Sequence, residues 1–226
     1  MSIPGVLTDF NHFKRVVATD AWKASVGNLD KQSNIHILHW GWNVGSQYLW
    51  TSKGPAQTLS DFKGQKTRYT GGESTARVLE AWGMAPIALD FTEVVTSLQT
   101  KMIDGLVTDL GGGVSFYKLQ DKAPYLFLVP VVLIPQFFVV NGKWWSSLPK
   151  DAREAIQGVF DKIDTEPWVE MTLNQFLKEW KADPKLHTTE PNAAELQKWL
   201  DAAKPAIQKL TSTIDPKYLQ AVESVR

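Results

Sequence analysis

The sequence predicts an α/β fold built on a layered, partly parallel sheet. Two observations predict it. Between Asp61 and Leu110, strand-like runs alternate with helical runs, each stopped by glycine or by an Asp-Gly turn. Such alternation calls for crossover connections and parallel pairing. Further on, Tyr125 to Asn141 is a long apolar, β-rich run without a charge, which reads as one or two buried strands.

In chain order, Thr8-Asp9 ahead of Phe10, Phe13, Val16 and Val17 reads as a helix start with a core-facing stripe, running to about Val26 and ending at Gly27. Asn34 to Trp42 is a strand with apolar residues on both faces, and Gln47 to Trp50 a second short one. Lys66 to Thr70 is a strand, Glu73 to Trp82 a helix stopped by Gly83, Pro86 to Leu89 a strand and Thr92 to Met102 a helix. Asp104-Gly105 turns the chain into a strand over Leu106 to Thr108, and a short helix covers Val114 to Leu119. Helical spacing runs from Lys150 to about Trp180, with a kink or restart at Pro167. Lys185 to Thr189 is an edge strand, Asn192 caps a helix carrying Trp199, Leu200, Ala203 and Ile207, and Pro205 and Pro216 break the remainder.

Composition excludes several functions. The 226 residues carry 24 basic and 24 acidic side chains, so no net field attracts nucleic acid or anionic lipid. There is no cysteine, hence no disulfide, thiolate metal site or cysteine nucleophile. His36 and His39 are three apart in a strand and point to opposite faces, poor geometry for one metal. Glu73, Glu80, Asp90, Glu93, Asp104 and Asp109 form no recognisable catalytic pair, and neither G-x-S-x-G nor H-E-x-x-H occurs. No run is long and apolar enough to span a membrane, and the first residues do not read as a signal peptide.

Arg68 is the most informative residue. It sits in a strand, sharing a face with Lys66 and Thr70, just ahead of Gly71-Gly72. A guanidinium there either pairs with a neighbouring acid or grips a carboxylate ligand beyond the carboxyl ends of the strands.

The order of motifs bears on that choice. Asp61-Phe62-Lys63-Gly64-Gln65-Lys66-Thr67-Arg68, then Asp90-Phe91-Thr92-Glu93-Val94-Val95-Thr96-Ser97-Leu98-Gln99, then Ile103-Asp104-Gly105 resembles the solute-binding proteins of tripartite ATP-independent periplasmic (TRAP) transporters, of the DctP type. Trp42 to Gln47 and Asn141 to Pro149 fit the same pattern. The resemblance implies a two-lobed periplasmic-binding-protein-like α/β fold with a long hinge-spanning helix and an incomplete first lobe. Residues 1–64 would form part of lobe I and 65–136 lobe II. Residues 137–226 would supply a crossing strand, the long hinge helix and C-terminal helices packing on both lobes. The expectation is of a chain shortened at its N-terminus relative to the family.

By the same resemblance, the protein captures a small carboxylate for TRAP membrane subunits, as a monomer in the periplasm, without cofactor, metal or catalysis. Arg68, Trp42, Asn43, Gln47, Phe91, Thr108 and Asp109 would line the site. Two departures stand out. Gln47 replaces an arginine common in the family, and Leu106-Val107-Thr108 replaces a more polar triplet. Both lower the charge and polarity of the cleft, which favours a monocarboxylate with an apolar or aromatic body. The rival readings are an α/β enzyme acting on a carboxylate and a remnant that binds nothing.

Overall fold

The computed structural model describes residues 6–7, 10–164, 171, 174–179 and 182–226, and the side chains of all of these except 10, 28–31, 41–45, 114–115 and 135. Two helices lead, α1 (Phe10–Val17) and α2 (Asp20–Ser33). Thr19 separates them, its hydroxyl accepting from the Trp22 amide as an N-cap. The expected start at Thr8-Asp9 lies outside the described residues. Gly27 does not stop the helix. α2 runs on to Ser33 and ends at Asn34, which takes the left-handed conformation (φ 53°).

β1 (Ile35–Thr51) is one strand rather than two. It pairs antiparallel with β5 (Tyr125–Asn141) along most of its length, and shifts in register absorb Gly41 and Gly45. The intervening chain holds β2 (Lys66–Tyr69), α3 (Glu73–Ala81), β3 (Ala85–Ala88), α4 (Val94–Gln99) and β4 (Gly105–Thr108). The six-stranded sheet has the order β3-β2-β4-β1-β5 and then β6 (His187–Thr189). β2 pairs parallel with both β3 and β4, as the alternating pattern required. Gly83 ends α3 as expected: its φ of 80° lets Gly83 N–H bond Glu80 O (2.9 Å) and Met84 N–H bond Leu79 O (3.0 Å).

The register decides the two faces of the sheet. Leu49 opposes Val107, and both join Phe62, Phe127, Val78, Leu79, Trp82 and Trp199 in one core. Trp50 opposes Leu106, and both join Leu126, Val94, Leu98, Leu110 and Tyr117 in the other. A third cluster gathers Phe13, Val16, Trp22, Leu133 and Val222 around α1 and α2.

After β5 come α5 (Gly142–Ser147) and α6 (Lys150–Phe160). The helix expected over 150–180 is seen in two pieces, α6 and helical residues 174–179, with a turn at 161–162. Pro167 lies outside the described residues. α7 (Ala193–Thr211) starts at Asn192, whose side chain accepts from Glu195 N, and runs through Pro205 without breaking. Pro216 opens α8 (Pro216–Ser224), where a missing N–H costs nothing. Trp199 and Ala203 of α7 are buried, whereas Leu200, read from the sequence as part of the same apolar stripe, is exposed.

Candidate functional site

The carboxyl ends of β2, β3 and β4 converge because the three strands run parallel. Arg68 lies on β2 opposite Ile87 of β3 and Leu106 of β4, so the pleat puts it on the face of the second core. It is 2% exposed, an extreme burial for a guanidinium. Nε donates to Leu89 O at 3.0 Å, while Nη2 is buried with no hydrogen-bond partner. Among the described residues no carboxylate forms an ion pair with it.

Tyr117 stands beside it, 3% exposed, with its hydroxyl likewise buried and unbonded. Burial pushes the Arg68 pKa below its ordinary value, against the opposing influence of Tyr117 and Asp90, yet a guanidinium stays charged near neutrality. Burial raises the Tyr117 pKa, with Arg68 acting to lower it and Asp109 to raise it. The phenol is therefore protonated and able to donate. The two groups act on each other through charge and through side-chain hydrogen bonding at close approach, although neither Nη2 nor the hydroxyl has a partner at full hydrogen-bond geometry.

Aromatic rings roof this pair. Phe91 opens the turn after β3 and packs on Tyr117 at 4.5 Å between centroids and on Phe116 at 5.7 Å. Phe91 is 49% and Phe116 72% exposed. Thr108, buried at the end of β4, shares the Arg68 face because it follows Leu106 by two, and Tyr48 of β1 opposes it. Asp109 accepts from Gly112 N at 2.7 Å and so caps the π-helical turn Gly112–Phe116. That turn lies close over Trp50: a Cβ on Gly113 would fall 2.5 Å from the indole Cζ2.

Arg68, Phe91, Thr108 and Asp109 thus come together. Gln47 does not join them. It precedes Tyr48 by one, so alternation sends it to the opposite face, beside Val132. Trp42 and Asn43 lie in β1 opposite Gln136 and Pro135, and their side chains are outside the described set. Tyr117 and Phe116 were missed; the glycine run ahead of them was the available signal, a loop able to fold back over a strand end. Two cavities occur elsewhere, about 420 Å³ between Leu59, Lys63, Trp82 and Lys198, and about 530 Å³ between Trp22, Trp40, Phe137 and Tyr218. Neither is lined by Arg68.

The model of the family described as bacterial extracellular solute-binding protein, family 7 (DctP), matches residues 1–213. The chain belongs to that family. Among family 7 relatives, a solute-binding protein of Sulfitobacter sp. is 28% identical over 156 residues, 69% of this chain and 46% of that protein. The C4-dicarboxylate-binding periplasmic protein of Vibrio cholerae is 26% identical over 185 residues, 80% of this chain and 54% of that protein. This chain spans about half the length of these curated relatives. The TRAP periplasmic solute binding protein of Shewanella oneidensis, solved with bound succinate, superposes with a TM-score of 0.90 at 22% identity, over 99% of this chain and 73% of that one. The likeness shows the fold, a mixed α/β architecture shared with the solved family 7 structures.

Proposed function

We propose that this chain captures a small organic acid outside the cytoplasm and delivers it to the membrane subunits of a TRAP-type secondary transporter. The observation that carries the reading is Arg68 Nη2, buried, charged and unbonded at the carboxyl ends of three parallel strands. A buried donor without a partner is unfavourable by about 1–3 kcal/mol, more when charged, and an incoming carboxylate removes that penalty. Parallel sheets bind ligands at this end. The Vibrio cholerae relative and the Shewanella oneidensis protein, one named for C4-dicarboxylates and one holding succinate, support a carboxylate.

The protein does no chemistry on its ligand. Residues 1–64 and 65–136 act as two lobes, with 137–226 bridging them, and the ligand favours the closed form because only there do both lobes touch it. Closure presents the solute to the membrane partner. The chain acts as a monomer in the periplasm, the compartment in the printed name of its Vibrio cholerae relative.

A thermal-shift and calorimetric screen of carboxylates against the full chain tests this. A ligand at about a hundred times its Kd adds roughly 2.7 kcal/mol of stability. For a chain of this size that raises Tm by about 5–10 °C. A folded protein whose Tm no carboxylate moves would refute the reading.

A further inference from the structure

We infer that the ligand is a monoanion with an aromatic or apolar body, its one carboxylate held between Arg68 and Tyr117 and its body laid against Phe91 and Phe116. This rests on the reading of Arg68 as a carboxylate anchor. The first ground is the pair itself. Nη2 and the phenol oxygen are both buried, and neither has a partner at full hydrogen-bond geometry, their only engagement being with each other at close approach. A carboxylate has two oxygens and satisfies one donor with each, so the neutral phenol takes the place of a second cation.

The second ground is charge. The groups acting electrostatically on this pair are Arg68 itself, Asp90 and Asp109. Lys118, next along the chain, is exposed, with its backbone in the left-handed region. One cation faced by two acids neutralises one carboxylate and opposes a second. A dianion would place its other end in the field of Asp90 and Asp109, with no positive partner among the groups that act on this pair in the described residues. The third ground is the wall. Phe91 and Phe116 remain 49% and 72% exposed although they touch each other and Phe91 packs on Tyr117. Large apolar rings left open at the rim of a polar anchor are completed by an apolar ligand.

Phe116 and Tyr117 follow Gly111-Gly112-Gly113 and belong to or border a π-helical turn, a geometry common at functional sites.

Calorimetric titration of the full chain tests the inference, with benzoate, phenylacetate and 3-phenylpropanoate set against succinate and galactonate. The wild type is expected to bind at least one aromatic acid tenfold or more tighter than either competitor. Phe116→Ala, a change at an exposed ring, is expected to weaken that aromatic acid about tenfold. Tyr117→Phe weakens every bound carboxylate. Tighter binding of succinate or galactonate, abolished by Arg68→Gln, overturns the inference and leaves the carboxylate anchor standing. Aromatic binding indifferent to Phe116→Ala also overturns it. Binding that Arg68→Gln does not touch, or no binding by a chain whose circular dichroism is intact, overturns the anchor itself.

Discussion

The Arg68 guanidinium and the Tyr117 phenol are buried side by side, close enough to bias each other's ionisation, and leave Nη2 and the hydroxyl unbonded. A core arranged only for stability would not hold two such donors apart. Tension of this kind marks a site that trades stability for binding.

Arg68 is therefore expected to matter for ligand and little for folding. In Arg68→Met the lost Nε bond to Leu89 O is offset by release of an unpaired buried charge. The unliganded Tm should stay level or rise, by about 2–4 °C per kcal/mol gained. Carboxylate affinity should fall by about a hundredfold, roughly 2.8 kcal/mol. Arg68→Lys should not restore it, since an ammonium lacks the planar fork. Scanning fluorimetry with and without the tightest carboxylate reads both quantities. A Tm drop beyond 5 °C for Arg68→Met would make the residue a structural strut.

Much of the fold was legible because local rules and tertiary packing agreed. The run from β2 to β4 combines glycine stops, a cap and apolar strands, and each boundary fell within a few residues of its expected place. Where they conflicted, packing won. Gly41 and Gly45 read as breaks, yet β5 pairs across them and bulges take up the slack. Gly27 was overridden by the continuing helix, and Pro205 sits inside α7, whose Trp199 is locked against Trp82, Phe62 and Phe127. The placement of Arg68, Phe91 and Thr108 at or near strand ends was readable from the alternating pattern. The facing of Gln47 depends on registering β1 against β4 and β5, which no local pattern encodes. Tyr117 was invisible for a related reason: it reaches Arg68 only because the segment after β4 folds back.

Asp104 ties the β4 entrance to β2 and should give stability an acid limb. Burial alone would raise its pKa, but the Lys66 N–H at 2.9 Å and the Lys53 ammonium at 3.0 Å outweigh that and hold it below its usual value. A carboxyl depressed in the folded state contributes stability above its unfolded pKa of about 3.9, lost as pH falls through the lower folded value. Glu195, through Leu59 N–H, and Asp61, through Gln57 and Thr58 N–H, act in the same direction. Urea midpoints should therefore fall as pH drops below about 4. Asp104→Asn should lower stability at pH 7 by about 1 kcal/mol and flatten part of the acid slope. An unchanged slope would remove Asp104 from this role.

The turns after α3 and α4 are alike in bonding and unlike in residue. Gly83 and Lys101 both follow a helix with positive φ, 80° and 59°. In each, the next amide reaches back to the last helical turn, Met84 N–H to Leu79 O at 3.0 Å and Met102 N–H to Ser97 O at 2.9 Å. Glycine adopts this conformation without strain and lysine does not. Lys101→Gly should stabilise the protein by about 0.5–1 kcal/mol, and Gly83→Ala should destabilise it by about 1 kcal/mol. Opposite signs in paired urea titrations are the expected result. Equal signs would mean that the lysine side chain, rather than its backbone, sets the energy of the second turn.

The last expectation concerns the far ends of β1 and β5. β4 pairs with β1 only over Tyr48–Thr51, and β6 with β5 only over Tyr125–Phe127. Among the described residues, the ribbon from Ile35 and to Asn141 thus has no strand beyond it on either side. It carries Ile35, Phe137, Phe138 and Val139 exposed, Val139 by 52%. Unpaired edges with apolar side chains promote association of chains. The protein should bind a hydrophobic dye and scatter light increasingly with concentration. Val139→Lys puts a charge on this strip and removes little buried contact, so it should lower both signals while shifting Tm by no more than about 2 °C. Association that persists undiminished in the variant would locate the sticky surface elsewhere, with the groove between Trp22 and Tyr218 next to be tested.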